Sequence, residues 1–376
     1  MNEREVGEIR RRFKPERNSF SHIRGCYVNE LGHIVSQFDQ SLAMMSQDET
    51  ELFLSVLRKT LSGGLGRNLV DIEFETQQVA YGENHRLLMD LRNSGLKDNA
   101  AVQTFFEKVA AAVKLEDSSY LILLVHDTYD VPYRTRGGDK QEDASDQVYS
   151  YILCSICPIT ETKPALSYYM RENEFHNRQM NQLVSAPEMG FLFPAFDDRA
   201  TNLYNALCYT RDPSQSHQEF VDAVFGAEAP MPATAQQENF RTVLGEALEE
   251  DCSYEVVQAV HDQLREMIAV HKENKEKEPL KLSRGAATGV LRSCGVSAEK
   301  AEVFERKFGQ TFGEETALSA RNLEVKQTEL RTPDVVIHVN PDRGDLVKTK
   351  VIDGRTYILI CADDGVEVNG VEIKIN

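Results

Sequence analysis

Two of the most apolar runs in the chain lie close together, and they constrain the fold more than any other feature. Residues 119–126 read SYLILLVH and residues 148–157 read VYSYILCSIC. Each run has the length of a strand, and its continuous apolar character is typical of a strand that is buried on both faces. The polar residues 132–147 between them predict a long loop. The two runs are therefore predicted to be the central strand pair of a main domain.

The pattern along the rest of the chain predicts an α+β fold in four parts. These are a mixed α/β main domain at 1–226, a linker or long loop at 227–238, a helical segment at 239–322 and a small β-rich C-terminal unit at 323–376. Prolines and alanines indicate the linker, and Asp353-Gly354 and Asn369-Gly370 indicate turns between the last strands. Within the main domain, residues 187–200 are expected to form an aromatic-rich turn that opens a helix running through Tyr204 and Leu207.

Composition bears on the compartment and on the partners. The chain has 42 Lys and Arg against 60 Asp and Glu, a formal net charge of −18, which disfavours non-specific binding to nucleic acid or anionic membranes. The longest apolar run is far shorter than the roughly 20 residues that span a bilayer, and the charged N-terminus does not look like a secretory signal. The seven scattered cysteines are expected to be reduced thiols. These features predict a cytoplasmic protein without a membrane partner.

Basic residues concentrate near the N-terminus, against the overall charge. Residues 1–24 hold seven Lys or Arg against four Glu, and a local basic patch of this kind is suited to nucleic acid or an acidic protein. The alternative is an ordinary helix whose arginines pair with Glu5, Glu8 and Glu16. The predicted binding residues are Arg10, Arg11, Arg12, Lys14, Arg24, Arg58, Lys59, Arg67 and Arg134.

His126, Asp127 and Asp130 follow the first apolar run and form the candidate catalytic cluster. One histidine and two carboxylates could hold a divalent metal or act as a base and its orienting group, with Arg134 as an anion clamp. The most informative observation is whether Asp127, Asp130, Arg134 and Asp198 converge in one cleft. The other interpretation is a satisfied strand-end histidine beside loop-capping aspartates. No second ligand pair has metal spacing, so the metal is left open and no cofactor is indicated.

Two further motifs have simple structural interpretations. The glycines of residues 63–68, GGLGRN, follow a predicted helix and precede a predicted strand, whereas a phosphate-binding loop follows a strand and opens a helix. A glycine helix stop is therefore favoured. Cys154 and Cys157 have the spacing of a redox or zinc pair, but on a strand they point to opposite faces. Both are expected to be buried thiols.

Several segments together resemble a known family. They are RFKPER, RGCYV, RKTLSGGLGRNL, LILLVHDTYDVP, ILCSICP, PEMGFLFPAF and TPDVVIHVNP. The chain resembles the bacterial domain-of-unknown-function 4317 family along nearly its whole length, and that family has no assigned activity. The layout is also similar to that of bacterial nucleoid-associated proteins, with LLVH, YILC and VEVNGVEIKI as the matching pieces.

Two classes of function follow from these features. The first is a non-enzymatic binding protein that docks on nucleic acid, nucleoprotein or a protein partner, including a second copy of itself, through the basic N-terminal face. The second is a metal-assisted hydrolase or nuclease centred on His126, Asp127 and Asp130. The sequence lacks a strong catalytic constellation, and this favours the first class.

Overall fold

The computed structural model describes most of the chain in two compact units, Met1–Thr234 and Ala235–Asn376. The described residues are 1–115, 118–134, 140–162, 165–178, 182–274, 276, 278–325, 327–363, 365–368 and 370–373. Within them, the side chains of residues 133–134, 140–146, 165, 169, 177–178 and 341–342 are not described.

The first unit alternates short helices with strands. Its helices are α1 (Glu3–Arg10), α2 (Gln47–Lys59), α3 (Thr76–Tyr81), α4 (Glu83–Asn93), α5 (Asn99–Ala112) and α6 (Gln218–Phe225). Its strands are β1 (His22–Val28), β2 (Ile34–Ser41), β3 (Leu69–Glu73), β4 (Tyr120–Arg134), β5 (Lys140–Glu161), β6 (Ala165–Tyr169), β7 (Glu174–Arg178), β8 (Gln182–Val184), β9 (Met189–Phe193), β10 (Ala195–Asp197), β11 (Ala200–Asn202) and β12 (Asn205–Thr210).

One large sheet organises the first unit. Its strands run in the order β2-β1-β4-β5-β9-β12-β3, and β8 adds to β5 as the eighth strand. Each of these pairings is antiparallel. A large antiparallel sheet combined with helices confirms the predicted α+β class.

Two hydrophobic cores lie on the two faces of this sheet. On β4, Ile122 and Leu124 point into one core with helices α4, α5 and α6, while Leu121 and Leu123 point into the other with α1 and α2. Burial on both faces explains why β4 and β5 have continuous apolar runs rather than alternation. Cys154 lies in the first core and Cys157 in the second, as residues three apart on a strand should.

Two local predictions were wrong. Much of the predicted loop at 132–147 is strand, because β4 continues to Arg134 and β5 already begins at Lys140. The predicted aromatic-rich turn at 187–200 and the helix that it was expected to open are instead a series of short strands, β9 to β12. All five residues of β9 are buried, and a fully buried apolar run does not show by its periodicity whether it is strand or helix.

The second unit consists of helices followed by small hairpins. Its helices are α7 (Ala233–Leu248), α8 (Tyr254–Glu273), α9 (Arg284–Ser293), α10 (Ala298–Phe312) and α11 (Ala320–Leu323). Its strands are β13 (Lys281–Leu282), β14 (Leu318–Ser319), β15 (Thr328–Arg331), β16 (Val336–Val339), β17 (Val347–Ile352), β18 (Arg355–Ile360), β19 (Val366–Val368) and β20 (Val371–Ile373). Helix α7 begins at Ala233, within the segment predicted to be a linker.

Candidate functional site

Asp127 is the buried centre of a polar network. It lies on β4, on the face that α1 and α2 cover, and only 2% of its surface is exposed. Its carboxylate accepts hydrogen bonds from Arg12 Nε at 2.9 Å, Ser19 Oγ at 2.5 Å and Tyr151 Oη at 2.8 Å. A buried carboxylate is stable only when its charge is paired and its lone pairs are used, and both conditions are met here.

The segment after α1 positions Arg12, which is the cation of this network. Arg12 lies in a 3₁₀ turn whose next residue, Phe13, is buried, so the turn is held against the core. The guanidinium lies over the ring of Tyr129 at 4.8 Å, a cation–π geometry. Burial disfavours its charge, but the hydrogen bond and the charge of Asp127 outweigh this and raise the pKa of Arg12. Through these interactions, the buried carboxylate of Asp127 holds the segment after α1 against the sheet.

His126 points to the opposite face of β4 and has different neighbours. Its Nε2 lies 2.9 Å from Ser150 Oγ, and the Ser150 carbonyl accepts a hydrogen bond from Arg92 Nε at 2.7 Å. Burial lowers the pKa of His126; Asp127 opposes this shift, and the positive charges of Arg92 and Lys97 add to it. The imidazole is therefore neutral at neutral pH, and serine is its hydrogen-bond partner.

The structure does not bring the candidate catalytic cluster together. His126 and Asp127 are successive strand residues on opposite faces. Asp130 is exposed and lies four strand residues from His126, about 13 Å along β4. Asp198 is in the exposed turn between β10 and β11, and the side chain of Arg134 lies outside the described residues. Among the residues that the structure describes, no three His, Cys, Asp or Glu side chains are arranged to hold a metal ion.

A cleft opens beside His126 where β1 and β4 separate. Their pairing ends at Arg24 and Leu124, and the preceding residues of β1 diverge from the following residues of β4. The space has a volume of ≈ 490 Å³, which is within the range of small-molecule sites. Its walls come from residues 19–22, Arg24 and Asp39, from residues 95–97 and Asn99 between α4 and α5, and from residues 126–128 of β4.

The cleft is polar, and its charges are largely matched. Arg24 donates to Asp39 Oδ2 at 3.0 Å and to Asn99 Oδ1 at 2.7 Å, and His22 Nδ1 lies 3.0 Å from Asp39 Oδ1. Lys97 is exposed at the rim and forms no ion pair with any residue described. The arrangement suits hydrogen bonding to a small polar molecule, and His126 in its wall is neutral.

The predicted basic residues separate into engaged and free groups. Arg12 and Arg24 are turned onto Asp127 and Asp39, so they are not open docking cations. Arg10, Arg11 and Lys14 are exposed and have no ion-pair partner within the described ranges. Only the free group is available to a partner.

Three more of the predicted basic residues lie at the end of α2 and in the loop that follows it. Arg58 and Lys59 end α2, and Arg67 is in the loop before β3; all three are exposed. The charge of Lys59 acts on Cys157, whereas Arg12 sits near Tyr151, six residues along β5. Six strand residues span about 20 Å. Lys59 therefore lies towards the Cys157 end of β5 and Arg12 towards the Tyr151 end.

Sequence reasoning missed the residues that complete the Asp127 network. Ser19 and Tyr151 lie 108 and 24 residues from Asp127, and no local pattern links them. The one available signal was the pair Tyr149 and Tyr151, hydroxyl-bearing side chains inside an apolar strand. Buried tyrosines usually find a hydrogen-bond partner, so a polar acceptor could have been expected near them.

The fold defines an α+β protein whose first unit has an antiparallel sheet between two helix layers. A buried polar network around Asp127 lies on one face of that sheet. The chain belongs to the family described as Domain of unknown function (DUF4317), whose model matches residues 1–371. This confirms the resemblance seen in the sequence. No curated protein matches the chain. Every helix in the described ranges is too short or too polar to cross a membrane.

Proposed function

We propose that this chain is a non-catalytic binding protein that docks on nucleic acid through its N-terminal basic surface, formed by Arg10, Arg11, Lys14 and Arg17. The observation that carries the proposal is that these four charged side chains are open to solvent. All are exposed, and none forms an ion pair with a residue in the described part of the chain. Residues 10–17 contain five Lys or Arg against one Glu, so this segment is strongly positive in an acidic protein.

The segment is ordered before any partner arrives. Arg12 anchors it to Asp127, and Phe13 packs on Phe20 with ring centroids 5.7 Å apart. Binding costs less when the interacting groups are already held in place. The buried ion pair thus supports the proposal indirectly, because it presents the neighbouring cations on a fixed turn.

Phosphate is the group that this surface suits best. Guanidinium groups bind phosphate oxygens through paired N–H donors, and three of the four cations are arginines. The net charge of −18 repels nucleic acid from most of the remaining surface, so binding should depend on this patch. A protein that binds nucleic acid in this way would work in the cytoplasm of a bacterium, which is also where reduced thiols are expected.

The alternative, a metal-assisted hydrolase at His126, Asp127 and Asp130, gains no support from the described residues. Asp127 is committed to Arg12, Ser19 and Tyr151. His126 is bonded to Ser150 on the other face of β4. A metal would require these groups to leave their present partners.

Salt-dependent binding tests the proposal. We expect the full chain to bind labelled DNA or RNA at low salt and to weaken linearly on a logarithmic salt scale. Arg11→Glu should weaken binding and lower the salt slope by about 0.7–0.9 for each phosphate that the variant no longer neutralises. Arg86→Glu is the matched control, since Arg86 is exposed on α4, which covers the opposite face of the sheet.

Two results would overturn the proposal. One is no measurable affinity for DNA or RNA at low salt. The other is equal weakening by Arg11→Glu and Arg86→Glu, which would show a general charge effect instead of a docking surface. Self-association, or a protein partner, that depends on Arg11 while nucleic acid does not bind would assign this surface to protein.

A further inference from the structure

Strands β17 and β18 form a regular hairpin with a tight two-residue turn. The register pairs Val347 with Ile360 at the root and Ile352 with Arg355 beside the turn. Asp353 and Gly354 have φ values of 49° and 75°, the positive values that a type I′ hairpin turn needs. The Asp-Gly turn predicted from the sequence is thereby confirmed, and the register of the hairpin is well defined.

The alternation of strand residues sorts this hairpin into two chemically different faces. Residues directly opposite each other in an antiparallel pair share a face, and Lys350 pairs with Tyr357 and Lys348 with Leu359. We call this side the basic aromatic face; it consists of Lys348, Lys350, Ile352, Arg355, Tyr357 and Leu359. The other side carries Val347, Thr349, Val351, Thr356, Ile358 and Ile360.

The basic aromatic face is open to solvent. Tyr357 is 41% exposed, and Lys348, Lys350 and Arg355 are exposed, without an ion-pair partner in the described ranges. The next hairpin provides a contrast, because β19 and β20 place Glu367 opposite Glu372. The positive charge is therefore a property of this one hairpin and not of the hairpins in general.

The root of the other face anchors the hairpin, whereas Val351 and Ile360 on that face are 66% and 51% exposed. Val347 is only 4% exposed, and Thr349 Oγ1 donates to Glu255 Oε1 on α8 at 3.3 Å. A two-stranded sheet is marginally stable unless something else supports it. Anchoring through the root of the opposite face leaves the basic aromatic face free to bind a partner.

We infer that the basic aromatic face binds single-stranded nucleic acid, with Tyr357 stacking on a base and Lys348, Lys350 and Arg355 contacting the phosphates. This rests on the proposed nucleic-acid function and adds a second binding surface in the other unit. Three cations beside one aromatic ring are complementary to a partner that is both anionic and aromatic. Proteins that hold single strands combine these two features, an aromatic platform and a basic track.

The spacing of the cations and the exposure of the ring favour the single strand over other anions. Alternate residues of a strand lie about 7 Å apart, so Lys348 and Lys350 on β17 have the spacing of neighbouring phosphates along an extended chain, and Lys350 lies directly opposite Tyr357. In a duplex the base faces are stacked inside and cannot reach Tyr357. An anionic membrane would meet the same cations but offers no base on which the Tyr357 ring could stack.

The test compares variants of the full chain for binding to a labelled oligothymidylate of about 20 nucleotides, longer than a typical single-strand site. Tyr357→Leu should weaken binding roughly 5- to 150-fold, the range for removing one base stack, while Tyr357→Phe should retain it. Lys350→Gln and Thr356→Glu each lower the net charge by one, on opposite faces of the hairpin. Only Lys350→Gln should reduce the salt slope, by about 0.7.

The outcomes separate this inference from the proposed function. If the chain binds nucleic acid in an Arg11-dependent manner and Tyr357→Leu and Lys350→Gln leave it unchanged, the inference is overturned and the proposed function stands. Equal weakening by Lys350→Gln and Thr356→Glu also overturns it. Binding to duplex with the same dependence on Tyr357, or to anionic vesicles but not to the oligonucleotide, assigns the face to another partner. Circular dichroism of each variant verifies that the hairpin still folds.

Discussion

Arg12 Nε lies 2.9 Å from Asp127 Oδ2, although the two residues are 115 positions apart in the chain. The ion pair joins the turn after α1 to the centre of β4. It explains two features at once, the buried charge in the middle of a sheet and the fixed position of the basic segment around it. The Arg12–Asp127 pair is therefore the link between the core of the first unit and its proposed docking surface.

Removing one partner of this pair should destabilise the fold strongly. Arg12→Ala leaves Asp127 buried without its cation, and changes of this kind cost about 3–5 kcal/mol. Arg11→Ala is the control, because an exposed neighbour should change stability by less than about 0.5 kcal/mol. Urea unfolding monitored by circular dichroism gives both values. Similar stability for Arg12→Ala and Arg11→Ala would contradict the structural role of the pair.

A second buried polar pair predicts a non-additive set of substitutions. Thr60 Oγ1 and Ser155 Oγ lie 2.6 Å apart between α2 and β5, and both side chains are buried. Ser155→Ala leaves the Thr60 hydroxyl unsatisfied and should cost about 1–3 kcal/mol. Adding Thr60→Val removes the orphaned hydroxyl and should recover much of that stability. A double-mutant cycle measures it, and simple additivity of the two costs would argue against the hydrogen bond.

The cysteines should differ sharply in reactivity. Burial raises the pKa of Cys157 and Cys208 to about 12, so at neutral pH these thiols are protonated as well as inaccessible. Cys252 and Cys361 are exposed. We expect a disulfide reagent to label these two rapidly in the native protein, and all seven cysteines once the chain is unfolded. Fast native labelling of Cys154 or Cys157, read by mass spectrometry, would show that their strand is not buried as described.

Stability of the second unit should fall in acid because of His261. Burial lowers the pKa of His261 to about 4, and the positive charges of Arg241 and Arg265 contribute. Its pKa in the unfolded chain is about 6.5, so between these values the unfolded state binds more protons. The free energy of unfolding should therefore decrease as the pH falls from about 6.5 towards 4, by up to ~1.4 kcal/mol per pH unit.

His261→Gln is the variant that checks this contribution. It removes the titrating group, so the fall in the free energy of unfolding between about pH 6.5 and 4 should become shallower than in the original protein. Urea unfolding at several pH values in that interval measures both slopes. Identical slopes would show that His261 does not titrate differently in the folded and unfolded states.

Local patterns predicted the central strands well and the β9–β12 region badly. Residues 119–126 and 148–157 have the length of a strand and are bounded by polar residues, and length and flanks identify a buried apolar run as a strand where periodicity cannot. Residues 187–207 mix aromatic runs with polar breaks of two or three residues. Strands β10 and β11 are held by pairing with each other. The pairing of two such short segments produces no recognisable periodicity in the sequence of either segment.

The sequence by itself determined the α+β class, the buried central strands, the opposite faces of Cys154 and Cys157 and the Asp353-Gly354 turn. These depend on the period of hydrophobic residues and on backbone preferences, which are local properties. Only the tertiary structure decided that Asp127 binds Arg12 and that His126 faces Ser150. Such pairings depend on strand register and on the packing of distant segments, and a shift of one residue would exchange the two faces of β4.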